Sequence, residues 1–319
     1  MSDHRSQTTS GIIAGLLAFV SWGLVPIYWR LVKHVPAAEI LSHRMIWSLI
    51  FCSGLMFLGG QWSVLRTQTP RLLAITLGRS LLITANWLIF IWAVNAGHVV
   101  ETSMGYFITP LFNVLLGVII LREKLGGRQW MAVGLAAGGV IIAASEQGRG
   151  FPWIAAGLAV SFGFYSVFRK TATIAPLPGL FLETAFMTPI AVGFLLLKPD
   201  ATQLWPVFSL TSLVLIGGGI VTALPLLWFA QAAKNLRLTT LSFLGYLAPS
   251  MTFLLGVFVY HEAFSSQRLL AFGFIWAGIV VFSIDAWLRS RETTQPVAIP
   301  EPKSVTDGGV PSCSQNPTG

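Results

Sequence analysis

The stretch Pro110–Val140, PLFNVLLGVIILREKLGGRQWMAVGLAAGGV, is echoed at Pro249–Ile279, PSMTFLLGVFVYHEAFSSQRLLAFGFIWAGI. A constant displacement of 139 residues pairs Pro110 with Pro249, Leu115 with Leu254, Leu116 with Leu255 and Gly117 with Gly256. It also pairs Glu123 with Glu262, Gly134 with Gly273 and Gly139 with Gly278. At 140 residues, Ser21-Trp22-Gly23 matches Ser161-Phe162-Gly163, and Pro36 matches Pro176. Similarity by chance is common among Leu- and Gly-rich segments. An ungapped match that includes a glutamate and prolines points instead to one unit present twice.

Composition says what the unit is made of. Of 319 residues, 54% are hydrophobic and 10% charged, against about a quarter charged in an ordinary soluble chain. With a mean hydropathy of +0.73, too few charges are available to cover a globule in water. A bilayer core about 30 Å thick needs about 20 apolar residues per helix. On that criterion ten spans are expected, at about 11–31, 39–59, 75–97, 102–121, 128–145, 152–170, 178–197, 209–231, 238–259 and 267–287. Nothing in them shows the short alternating segments of a membrane β-barrel. The fold class is therefore an all-α integral membrane protein. Residues 1–10 form an N-terminal tail, 11–145 the first five-helix repeat and 152–288 the second. Residues 289–319 form a polar, Pro/Gly-rich tail expected to be disordered.

Five spans per copy is an odd number, so the second copy enters the membrane upside down. Inverted repeats are the architecture of many secondary transporters, with the substrate site near the midplane between the halves. Orientation follows from Lys/Arg bias. With the N-terminus inside, the inner segments carry Arg5, Arg66, Arg71, Arg122, Lys124, Arg128, Arg169, Lys170, Lys234, Arg237, Arg289, Arg291 and Lys303. The outer segments carry Arg30, Lys33, Arg149, Lys198 and Arg268, while Arg44 and Arg79 fall within or at the edge of spans. Both termini are expected on the cytoplasmic side. The net charge of +8 is thus read as topogenic, and no nucleic-acid partner is expected. Cys52 and Cys313 form neither a disulfide framework nor a metal spacing.

The segments WGLVPIYWRLVKHVPAAEILSHRMIWSL, NWLIFIWAVNAGHVVETSMGYFITPLFNVLLG and SFGFYSVFRK with LPGLFLET resemble the RarD-type branch of the drug/metabolite transporter superfamily, whose repeat is the EamA module. The resemblance covers about residues 11–288. It implies a ten-helix inner-membrane permease with cytoplasmic termini, and a superfamily that handles small organic metabolites, often by export. Some members take their name from chloramphenicol sensitivity, which establishes no transported substrate.

Ionisable groups inside spans are costly and usually face a cavity or a partner. Under the 140-residue displacement His43 stands opposite Glu183, and Arg44 opposite Thr184. His43, Glu183 and Glu101 are candidate titratable groups on the path, histidine because modest environmental changes move its charge across working pH. The competing reading of Arg44 and His43 places them near the interface, with Arg44 snorkelling to water or paired with Glu39 or phosphate. Thr102, Tyr106, Thr109 and Asn113 recur on one face of span four, and Ser242, Tyr246, Pro249 and Phe253 on span nine. With Asn86 and Asn95 on span three, they are candidates for a mid-membrane pocket, or for ordinary interhelical hydrogen bonding. Trp22, Tyr165 and Trp228 complete the set as aromatic wall suited to a flat organic solute. Gly134-x-x-x-Gly138 and Gly273-x-x-x-Ala277 are expected to let helices approach closely, between the halves or in a homodimer.

Enzyme chemistry has no foothold here. No phosphate-binding loop or nucleophile elbow is present, His261-Glu262 lacks a downstream zinc-ligating histidine, and no catalytic, metal or cofactor site is expected. No filter repeat of a channel is evident. The expected partners are a small organic solute and the lipid bilayer; an intramembrane enzyme or a non-transporting scaffold is the alternative.

Overall fold

A computed structural model describes residues 2–96, 98–145, 152–198, 209–259 and 265–292, without the side chains of 2–5, 91, 94, 95, 99–101, 103, 256 and 289–292. Its helices are α1 (Ser2–Arg30), α2 (Ala37–Leu58), the single turn α3 (Ser63–Arg66), α4 (Pro70–Asn95), α5 (Val99–Ile119) and α6 (Gly127–Ser145). The second half holds α7 (Trp153–Lys170), α8 (Pro176–Leu197), α9 (Leu210–Asn235), α10 (Leu238–Gly245), α11 (Leu247–Phe258) and α12 (Ser266–Glu292). No strand occurs among the described residues. Among the described residues, eight helices are long and apolar enough to cross a membrane, with α10 and α11 together supplying one of them at Leu238–Leu255. Of the other two expected spans, α5 contributes a shorter apolar helix, Met104–Ile119, and α7 has 18 residues.

The helix ends repeat as the sequence does. Pro70–Asn95 and Leu210–Asn235 are displaced by 140 residues at both ends, and Val99–Ile119 matches the α10–α11 span Leu238–Phe258 at 139. Packing shows how the copies are arranged. The α1–α9 contact has its counterpart in α4–α7, α2–α9 in α4–α8, and α1–α11 in α5–α7, while α2 packs on its own equivalent α8 and α6 on its equivalent α12. Early α2 residues Leu41 and Met45 cluster with late α8 residues Met187 and Ala191. Late α2 residue Cys52 clusters with early α8 residue Leu180. These equivalent helices run antiparallel, so the two repeats are inverted.

The α6–α12 seam shows the same sense and corrects the expected glycine register. A Cβ on Gly139 would sit 2.6 Å from the Ala271 carbonyl oxygen, and one on Gly278 would sit 2.8 Å from the Ala132 carbonyl oxygen. Gly134 and Gly273 have nothing within 4 Å, and Gly138 meets only the Phe274 ring at 3.5 Å. The close approach belongs to Gly139 and Gly278, one position beyond the small-xxx-small motif. Helix α6 turns the 139 position, not the 134 position, toward its partner.

Glu123, in the loop after α5, is not merely a helix-end charge. It accepts hydrogen bonds from the Leu238 and Thr239 amides at 2.6 and 3.0 Å and from the Thr239 hydroxyl at 2.6 Å. Those amides belong to the first turn of α10, whose donors have no intrahelical acceptor. The left-handed backbone of Arg122, φ 54°, turns the chain just before this carboxylate. One half thus caps a helix of the other.

Candidate functional site

Two groups of ionisable side chains face the seam between α2 and α8. The first is centred on Glu183 of α8, 3% exposed and held between two arginines that are each 2% exposed. Arg169 Nη2 donates to Glu183 Oε2 at 2.7 Å, and Arg79 Nε lies 3.1 Å from Oε1 without hydrogen-bond alignment. Tyr165 donates its hydroxyl hydrogen to Oε2 at 3.3 Å and accepts from Arg169 Nε at 3.0 Å. Arg79 Nη2 also donates to Thr76 Oγ1 at 2.7 Å. Elementary electrostatics accounts for the cluster: an arginine within a low-dielectric slab is stabilised by a partner or a cavity, and one carboxylate here serves two.

The second group is Arg44 on α2. Its Nε donates to Thr222 Oγ1 of α9 at 2.9 Å. The guanidinium carbon lies 5.2 Å from the Trp29 ring centroid and 4.9 Å from that of Trp87, so the cation sits between indoles from α1 and α4. Tyr106 of α5 lies within electrostatic reach of it and is 53% exposed. Unlike Arg79 and Arg169, Arg44 has no carboxylate within salt-bridge distance among the described residues. A void of about 20 Å³, room for about one water, separates the two groups. Arg44, Thr84, Trp87, Glu183, Thr184 and Thr222 contribute to its wall.

The two ends of the molecule are not equivalent. Helix α7 packs on α9, whereas their counterparts α1 and α4 make at most marginal contact. At the end where α7 and α9 finish, Lys170 donates to the Leu236 carbonyl, Lys234 to the Ile174 carbonyl at 2.6 Å, and Arg237 to the Lys124 carbonyl at 2.6 Å. Glu123 adds its cap on α10 at the same end. At the opposite end, Tyr28 donates to the Val214 carbonyl at 2.6 Å and His34 pairs with Thr211 at 3.2 Å. One end is stitched through three loops, and Tyr106 keeps its exposure in the half where α2 begins and Arg44 sits.

Of the residues singled out by sequence, Glu183 and Tyr165 are brought together in the first group, and Tyr106 beside the second. Trp22 packs edge-on against Phe19 and Phe162 and beside Phe229, which makes it a wall between the halves. Asn86 donates to the Leu158 carbonyl and the Ser161 hydroxyl, both at 2.9 Å, and so ties α4 to α7. Tyr246, 1% exposed, donates to the Phe107 carbonyl at 3.3 Å at the α10–α11 break and does not line the void. Trp228 lines a groove with Ser6, Ile13, Leu17 and Gln231 beside α1. His43 Nε2 and Asn113 Oδ1 are buried without a hydrogen-bond partner, and neither lines the central void. The side chains of Asn95 and Glu101 lie outside the described residues.

Sequence reading did not assign Arg79 and Arg169 to a site. Arg169 was grouped with the topogenic charges because it neighbours Lys170 at a span end. Its signal was Tyr165 one helical turn earlier, and that of Arg79 was its place well inside a span.

The family model described as EamA-like transporter family matches residues 9–145 and 151–284. An uncharacterized transporter of Vibrio cholerae serotype O1 is 44% identical over 293 residues, covering 89% of this chain and 95% of that protein. Protein RarD of Escherichia coli K12 is 42% identical over 293 residues, covering 91% of this chain and 99% of that one. The chloramphenicol-sensitive protein RarD of Pseudomonas aeruginosa is 28% identical over 282 residues, covering 86% of this chain and 94% of that one. A crystal structure of another protein superposes with a TM-score of 0.70 at 20% identity, over 87% of this chain and 98% of that one, a likeness of fold alone.

Proposed function

The chain belongs to the EamA-like transporter family, in its RarD-type branch, and from that premise we propose that it is a secondary-active carrier of a small organic solute. The solute binds beside the void between α2 and α8, and the inverted repeats rock about that seam to exchange access. The observation that carries this reading is the unequal closure of equivalent ends. Helices α7 and α9 are packed and stitched while α1 and α4 are not, and exchange of those roles between equivalent pairs would give the other access state. Binding must differ between the states for a gradient to bias them.

Export is the proposed direction because the resembled superfamily often exports its solutes. The excess of Lys and Arg on alternate loops supports an inner-membrane protein with both termini cytoplasmic. Transport, not catalysis, is what the family membership supports.

The test is efflux from proteoliposomes. Vesicles carrying the purified chain are loaded with a defined mixture of amino acids, organic acids, nucleosides and amines, and the contents are followed by mass spectrometry. At least one solute is expected to leave faster than from protein-free vesicles, with a rate that saturates and is stimulated by the same solute outside. Identical loss of every solute from both vesicle types would overturn the proposal.

A further inference from the structure

We propose that Arg44 is the recognition group for an organic carboxylate, so that the solute is an anion with a flat apolar body. This rests on the carrier reading above and names the class of solute that the same site takes. The chain places three guanidinium groups against one carboxylate around the seam, and the carboxylate is already taken. Glu183 is engaged by Arg79 and Arg169 at 3.1 and 2.7 Å, which leaves Arg44 without a counter-ion among the described residues.

The form in which Arg44 is presented is as informative as its charge. A guanidinium has five N–H donors in a planar fork. One, on Nε, is spent on Thr222. Among the described residues the two terminal nitrogens make no hydrogen bond, and the side chain is half-buried on the wall of the void. Trp29 and Trp87 place their rings 5.2 and 4.9 Å from the guanidinium carbon. The edge left open is the one that receives two oxygens of a carboxylate in parallel. Lysine on a flexible stem would offer only a point charge.

The surroundings select the rest of the solute. Two indoles flank the cation, and the half-exposed Tyr106 ring stands within electrostatic reach on the side that is not stitched shut. Flat apolar groups fill such walls. A cation within the membrane interior is costly unless it is paired, and an incoming carboxylate removes that cost where a neutral or cationic solute does not. Thr184, the counterpart of Arg44 in the second repeat, carries no charge, so the attraction is built into one half only.

The experiment uses the full chain, purified in an uncharged detergent, with three sets of matched probes. They are indole-3-acetate with indole-3-acetamide and tryptamine, benzoate with benzamide and benzylamine, and hexanoate with hexanamide and hexylamine. Thermal shift and equilibrium dialysis give dissociation constants. At least one aromatic carboxylate is expected to bind about tenfold to a hundredfold more tightly than its amide, the scale of charge-assisted hydrogen bonds. Arg44→Gln should erase that preference, Arg44→Lys keep part of it, and Thr222→Val weaken the carboxylate alone. If Arg44→Gln does not fold, the other two variants carry the comparison.

Carboxylates that bind no better than their amides, including no binding at all, would overturn the proposal, as would a preference that survives Arg44→Gln. Saturable efflux of a neutral solute, unchanged in Arg44→Gln, removes the anion site and leaves the carrier. Arg44-dependent carboxylate binding with no flux of any solute does the reverse.

Discussion

Replacing Glu183 with glutamine keeps the shape of the side chain and removes one charge, and the structure says what that exposes. Oε2 receives Arg169 at 2.7 Å and Tyr165 at 3.3 Å, and Oε1 faces Arg79 at 3.1 Å. Both arginines are 2% exposed, so neither can turn to water without local unfolding. Breaking a buried ion pair by removing one partner costs about 3–5 kcal/mol, because the other charge is left uncompensated. Here one substitution strands two cations, so a loss of at least about 3 kcal/mol is expected. Reversible unfolding of the purified protein in mixed detergent–dodecyl sulfate micelles, followed by circular dichroism, measures it. The double variant Glu183→Gln, Arg169→Gln restores the balance of one surplus cation and should be less destabilised than the two single effects added together. A Glu183→Gln protein within about 0.5 kcal/mol of wild type, the range of an ordinary surface change, would refute the counter-ion reasoning.

Substitutions at three other places probe separate parts of the molecule. Gly139→Ala and Gly278→Ala each force a Cβ against a carbonyl oxygen at 2.6 or 2.8 Å and should cost about 1–3 kcal/mol as overpacking. Gly134→Ala and Gly273→Ala, with nothing within 4 Å, should be neutral or stabilising by the same unfolding assay. Glu123→Ala removes the acceptor for three donors at the start of α10 and should cost about 1–2 kcal/mol, the scale of a lost cap. Tyr106→Ala removes a half-exposed ring, so the unfolding midpoint should hold while the affinity for the best-binding carboxylate falls; equal losses in both would remove Tyr106 from the site.

Much of this fold was legible because membrane helices and their duplication write themselves in composition and spacing. The inverted arrangement followed from counting spans, and the antiparallel pairing of Leu41 and Met45 with Met187 and Ala191 agrees. Contacts between distant spans were less legible. Helical periodicity placed Tyr106, Thr109 and Asn113 on one face but could not say that Tyr106 would approach Arg44 while Asn113 would be buried. Gly139 was indistinguishable from Gly138 in sequence, since a shift of one residue turns a helix face by about 100°. Arg169 looked topogenic because loop charge and buried charge use the same residue, and only a partner's position separates them.

The two halves have kept their backbone and divided their chemistry, and this division explains where the charges stand. At the 140-residue displacement Glu183 corresponds to His43, Arg79 to Gly219, Arg169 to Trp29 and Arg44 to Thr184. Where α4 carries Arg79 to meet α8, α9 carries Gly219, whose Cβ would lie 2.4 Å from the Trp47 backbone. One crossing is filled by a guanidinium and the other by direct contact of backbones. Where Arg169 neutralises Glu183, its counterpart Trp29 stacks on Arg44. Neutral sites and charged sites therefore alternate across the pseudo-two-fold axis. Strict symmetry would place a compensated cluster, or an uncompensated cation, at both ends of the path. The divergence leaves one of each: a closed ion cluster in the half where α7 and α9 are stitched together, and an open guanidinium in the half where α1 and α4 stand apart. On the proposed carrier reading, a solute that needs a counter-ion would meet a binding group from one side and a sealed floor beneath it, an asymmetry that would let the two access states bind it with different strength.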